Sequence, residues 1–165
     1  MNINIIPIQN LHAEAAIELI LNIQQKEFNV PITLEDQPDL LQIQDFYYST
    51  GGCFWGAFID NELVGTIALI KFDNEAGAIR KMFVKKEFRG KDLSIAQKLL
   101  ETLIAYARKN DLTDLYLGTI TKLEAALRFY ERNSFIRVEK TDLPKAFPLM
   151  SADNVFCHLT LNQEQ

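Results

Sequence analysis

Residues 79–109, IRKMFVKKEFRGKDLSIAQKLLETLIAYARK, set a cationic turn between an apolar strand and a long amphipathic helix. Arg89 and Gly90 occupy the turn, Lys91 follows, and the helix opens on Ser94, Ile95 and Ala96, where small side chains leave the backbone accessible. The first amides of a helix have no intrahelical partner and point outward, and the helix dipole adds to their pull on an anion. This junction is therefore built to hold phosphate.

The charge pattern agrees with that reading. Residues 1–79 carry eleven acids against Lys26 and Lys71, whereas residues 80–91 carry six bases against Glu87 alone. A polyanion suits the basic stretch and a cation the acidic side. The net charge of -5 and the lack of a long basic face argue against nucleic acid as the polyanion.

These residues need a scaffold, and 165 residues with 48% hydrophobic content suffice for one domain, residues 1–165, with no low-complexity linker. The N-terminal stretch has neither a basic leader nor a signal-length apolar run, and nowhere do eighteen apolar residues follow one another. A cytoplasmic protein without a membrane partner is expected. Cys53 and Cys157 lie far apart, as reduced core thiols would, and with His12 and His158 they form no metal-ligand spacing.

Alternation and helical periodicity give the order of elements. A first strand spans residues 2–8, an amphipathic helix 11–27 has Asn10 as its cap, and a second helix spans about 39–48. Strands follow at 53–59 and 63–72, joined at Asp60-Asn61 as a hairpin, and at 78–85. After the long helix come a strand at 114–119, a helix at 122–133, and strands at 135–140 and 155–161. A helical crossover after a meander predicts an α/β fold, a mixed sheet of about seven strands with helices on both faces.

This order, together with KMFVKKEFRG leading into SIAQKLLETL and with LEAALRFYERNSF, resembles the GNAT acetyltransferase superfamily. The resemblance implies a GNAT-like, mostly antiparallel sheet and transfer of an acyl group from acetyl-CoA to an amine. Its pyrophosphate loop reads Q/R-x-x-G-x-G/A. Aligning Arg89 with the first position would set Asp92 against the phosphates, so the register is better taken from the helix, with Lys91 in the Q/R place and Ser94-Ile95-Ala96 following. Ser94 would then cap the helix or donate its hydroxyl to a phosphate. The resemblance also implies that the backbone of Met82, Phe83 and Val84 pairs with the peptide-like pantetheine arm.

The run from Ala126 to Phe135 is similar to the superfamily's A-x-x-h-Y-E-x-x-G-F, with Ser134 at the usual Gly and Leu123 where many members have Asn. This implies that Tyr130 is the acid that protonates the departing sulfur. Direct transfer also needs a base, for which Glu75, then Asp60 or Glu62, are the candidates by place in the chain. Phe28, Tyr47 and Trp55, with Tyr48, are candidates to line the acceptor pocket, and the loop 143–156 to cover it. The expected function is acetyl-CoA-dependent N-acetylation of a small-molecule or peptide amine, the acidic half favouring a cationic acceptor. A non-catalytic acyl-CoA-binding module is the alternative, and a homodimer is compatible with either.

Overall fold

The computed structural model describes residues 2–161. Its strands are β1 (Ile3–Pro7), β2 (Cys53–Ile59), β3 (Glu62–Lys71), β4 (Ala76–Val84), β5 (Asp114–Thr119), β6 (Ile136–Val138) and β7 (Val155–Thr160). They form one sheet in the order β1-β2-β3-β4-β5-β7-β6, antiparallel throughout except between β4 and β5. Among the described residues the α-helices are α1 (Ala13–Leu21), α2 (Ile95–Lys109) and α3 (Glu124–Arg132). Buried residues of α2 and α3 join one apolar layer and those of α1 the opposite one, so helices cover both faces as expected. No helix among the described residues is long and apolar enough to cross a membrane.

Two helices differ from their expected extent. The first is α-helical only over α1; a 3-10 turn precedes it and a π-helical turn, Asn22–Glu27, extends it. Leu11 is 81% exposed, and the Asn10 side chain accepts a hydrogen bond from the Gln44 amide at 3.2 Å instead of capping the helix. The segment expected as one helix at 39–48 is a 3-10 turn, Pro38–Leu41, and a π-helical turn, Gln44–Tyr48. Leu40, Ile43 and Tyr47 all reach the core, and the Tyr47 hydroxyl bonds Asp39 at 2.5 Å across the break. The Asp60-Asn61 hairpin is present, with positive φ at both residues, as a type I′ turn requires.

The feature that creates a site is the parting of β4 from β5. They pair only over Ala76–Ala78 and Asp114–Tyr116; beyond that β4 follows β3 to Val84 and β5 follows β7 to Thr119. A bulge sharpens the divergence, because Lys81 and Met82 together stand opposite Ile67, and Lys81 takes a left-handed φ of 57°. The Thr66 hydroxyl fixes the bulge by donating to the Lys81 carbonyl at 2.7 Å. Over this gap the β5-facing edge of β4 has no strand paired to it among the described residues.

α2 is held close above β3 and β4. Ile95, Leu99, Leu100, Leu103 and Ala107 are its buried face, each large side chain contributing about 1.5–3 kcal/mol on burial. Gly65 on β3 allows the approach, since a Cβ there would stand only 3.2–3.3 Å from Leu99, Ile95 and the Phe83 carbonyl. The N-terminus of α2 is thereby set beside the end of β4.

Candidate active site

Tyr130 is placed by the way α3 ends. The Phe135 amide bonds the Tyr130 carbonyl at 3.1 Å and the Ser134 amide bonds the Glu131 carbonyl at 3.2 Å, with Ser134 left-handed at φ 75°: a Schellman turn. The accompanying apolar contact is Phe135 against the Tyr130 ring, centroids 5.2 Å apart. Tyr130 is 4% exposed and lines the cavity in the gap between β4 and β5. Among the described residues its hydroxyl has no hydrogen-bond partner, yet it is not sealed in apolar packing. Burial, and secondarily Cys157, push the phenol above its ordinary pKa, which keeps its proton in place at neutral pH.

The anion-binding residues come together at the start of α2. Arg89, Gly90, Lys91, Ser94, Ile95 and Ala96 line one cleft of about 540 Å³, bounded on the strand side by Val84. The turn 91–93 holds Asp92 and Leu93 ahead of the helix, and Ser94 sits at the cap position with φ 51°. Its hydroxyl donates at 2.7 Å to the Lys91 carbonyl, so it closes the turn and does not cap an amide. The first amides of α2, at Ile95, Ala96 and Gln97, are left facing outward.

Arg89 differs from its expected role. Its guanidinium makes a two-pronged pair with Glu27 at 2.5 and 2.8 Å, and its Nε donates to the Val84 carbonyl at 2.8 Å. That pairing neutralises its charge and anchors the turn to the end of α1's π-helical extension. Exposed Lys91 and Arg132 are the cations of the cleft that, among the described residues, have no acidic partner.

On the other side of Val84, Met82, Phe83 and Phe28 share with Tyr130 a cavity of about 140 Å³. The two further acceptor-pocket candidates do not reach it. Tyr47 is fully buried against Phe54 under α1, and Trp55 is buried on the opposite sheet face against Tyr106 of α2. Tyr48 donates to the carbonyls of Ile8 and Phe54. Glu75 is also misplaced as a base. It precedes β4 at its far end, where its carbonyl accepts the amides of Thr113 and Asp114, about 20 Å of extended chain from Met82. Glu62 is paired with Lys85 at 2.8 Å, and Asp60 lies in the hairpin turn.

The charged groups that do line the cavity went unassigned in the sequence. Lys81 projects from the bulge into a buried cluster, 3.6 Å from Asp39 and hydrogen-bonded to Gln37. Burial lowers its pKa to about 8, although Asp39 pulls the other way. Asp153, in the loop expected to cover the pocket, lines the cavity with Met150 and Ala152, and burial raises its carboxyl to about 6. The sequence signal was the loop itself; nothing in its spacing singled out one residue.

Comparison with known proteins agrees with this geometry. Residues 17–135 match the model of the acetyltransferase (GNAT) family. The crystal structure of a GNAT-family acetyltransferase from Staphylococcus aureus Mu50 is 42% identical, with a TM-score of 0.94 over 98% of this chain and 100% of that one. A PaiA N-acetyltransferase from Thermoplasma acidophilum, solved with coenzyme A, shares the fold at 19% identity, a TM-score of 0.76, and 98% and 100% coverage. Among curated proteins, the N-acetylaspartate synthetase of Danio rerio is 35% identical over 106 residues, 63% of this chain and 37% of that protein. The chain spans about a third to a half of the length of the curated relatives it matches.

Proposed function

The chain belongs to the GNAT acetyltransferase family, and from that premise we propose that it is an acetyl-CoA-dependent N-acetyltransferase acting on a primary amine by direct transfer. The observation that carries this reading is one path along β4: outward amides at the start of α2, then the edge of β4 from Val84 to Met82 that β5 no longer pairs, then the unbonded hydroxyl of Tyr130. A long ligand with an anionic middle, an amide-bearing arm and a reactive end fits that sequence of groups. The names of the curated relatives support nitrogen as the acceptor atom.

In this reading acetyl-CoA, when bound, supplies an acyl group activated as a thioester. The amides of Ile95 to Gln97 and Lys91 hold the pyrophosphate, and β4 takes up the pantetheine arm as an added strand. A free amide in the β4 gap polarises the carbonyl, and Tyr130 delivers its proton to the departing sulfur.

The test is a titration with acetyl-CoA followed by an amine panel with thiol release as the readout. At about a hundredfold excess over Kd, acetyl-CoA should stabilise the protein by about 2.7 kcal/mol, a rise in Tm of about 5–10 °C. Stabilisation without turnover of any amine would mark a binding module instead of an enzyme. No acetyl-CoA-dependent shift would remove the reading altogether.

A further inference from the structure

We propose that Asp153 receives the acceptor's ammonium group and takes its proton, which makes it the catalytic base; this rests on the acetyltransferase reading above. The residue is positioned by backbone bonds on either side. Its amide bonds the Met150 carbonyl at 3.1 Å, and the next amide, of Asn154, bonds the Thr119 carbonyl at the open end of β5 at 2.9 Å. The Arg80 guanidinium ties the same loop to β4 through the Pro148 carbonyl at 3.3 Å. The carboxylate rests directly over Gly118 of β5, where a Cβ would collide with Oδ2.

What sets this carboxylate apart is that it lines the cavity without a protein hydrogen-bond partner among the described residues. Among the described residues it makes no side-chain hydrogen bond or ion pair, although it is partly buried and shares its cavity with Tyr130. Its oxygens remain open to that cavity, so they are free to accept from a ligand donor there. The charged groups facing it are Arg80 and Lys81 of β4, with Asp39 behind Lys81 and the neutral phenol of Tyr130 on α3. Lys81 cannot serve in its place, because its ammonium is held by Asp39 and Gln37. With its pKa raised to about 6, Asp153 is ionised at neutral pH and more basic than an ordinary carboxylate. Phe28, Val30, Ile32, Met150 and Ala152 form the apolar part of the wall, and the fitting acceptor carries its ammonium on a stem that packs there.

The step balances as follows. An N–H proton of the ammonium passes to the Asp153 carboxylate, and the freed lone pair attacks the thioester carbonyl carbon. The C–N bond forms and the C–S bond breaks, and the sulfur takes the phenolic proton of Tyr130. The second nitrogen proton returns to Tyr130 through water, and Asp153 releases its own to solvent. The products are an amide, a thiol and one proton.

The experiment compares wild type with Asp153→Asn on two acceptors, a strongly basic alkylamine and trifluoroethylamine, whose conjugate acid is already deprotonated at neutral pH. Asp153→Asn should lose about a hundredfold or more in kcat/KM with the alkylamine, along with the acidic limb near pH 6. With trifluoroethylamine the loss should be under about fivefold, and the acetyl-CoA thermal shift should be unchanged. Equal losses on both amines, or a retained acidic limb, would overturn the assignment. A variant as active as wild type would overturn it too, while leaving the acetyltransferase reading intact. Wild type that turns over no amine defeats that reading, and this inference with it.

Discussion

Lys81 occupies an unusual position for a lysine: left-handed, at a strand bulge, and 8% exposed. Its folded pKa of about 8 lies below the ordinary value of 10.5, so the folded state binds fewer protons between those limits. The resulting cost to stability is absent above the ordinary value and fully present below about pH 8. Asp39 offsets it, and Asp39→Ala should destabilise the protein by about 3–5 kcal/mol at neutral pH by stranding a buried cation. Urea denaturation checks this: Asp39→Leu combined with Lys81→Met should recover most of the loss, and a double variant as unstable as Asp39→Ala would show that the pair is not the cause. Tyr130 was legible because its neighbours in the chain, through Phe135, form the turn that places it. Tyr47 and Trp55 were not, because which sheet face a residue meets depends on packing and pairing register. Trp55 opposite Ile67 on β2 and β3 turns toward α2, away from the cavity. Asp153 sits in an aperiodic loop, where the sequence pattern carries no direction.

At the scale of elements, α2 and α3 each terminate on a serine in the left-handed region, Ser94 at the start of one and Ser134 at the end of the other. A side chain there costs about 1–2 kcal/mol that glycine avoids. Ser134 donates no side-chain hydrogen bond among the described residues, so Ser134→Gly should raise stability by up to about 1 kcal/mol and Tm by about 2–4 °C. Calorimetric scanning reads this directly, and a lowered Tm would show that the serine side chain contributes something other than strain. Ser94 is a different case, because its hydroxyl closes the turn onto Lys91 and glycine would lose that bond. The strands were legible to within one or two residues because β-branched and aromatic residues fill them and turn residues such as Asp60-Asn61 bound them. The segment 38–48 was not. Leu40, Ile43 and Tyr47 keep helical spacing, but the contact between Tyr47 and buried Asp39 is made across a break that periodicity does not reveal.

For the whole molecule, the proposed function rests on one topological fact: a single parallel pair, β4 with β5, opens after Ala78 and Tyr116. The opening lies between the amides of α2 on one side and the loop bearing Asp153 on the other, with Tyr130 at its wall. Chain segments far apart in sequence supply these groups, which is why the turn before α2 and Tyr130 could be read singly while Asp153, the proposed base, and the wall around it could not. The most direct measurement of this account is steady-state acetyl transfer by Tyr130→Phe beside acetyl-CoA binding by the same protein. Loss of the hydroxyl alone should lower kcat by about a hundredfold or more and leave the acetyl-CoA affinity within about twofold of wild type. Undiminished turnover by the phenylalanine variant would contradict the account at its centre.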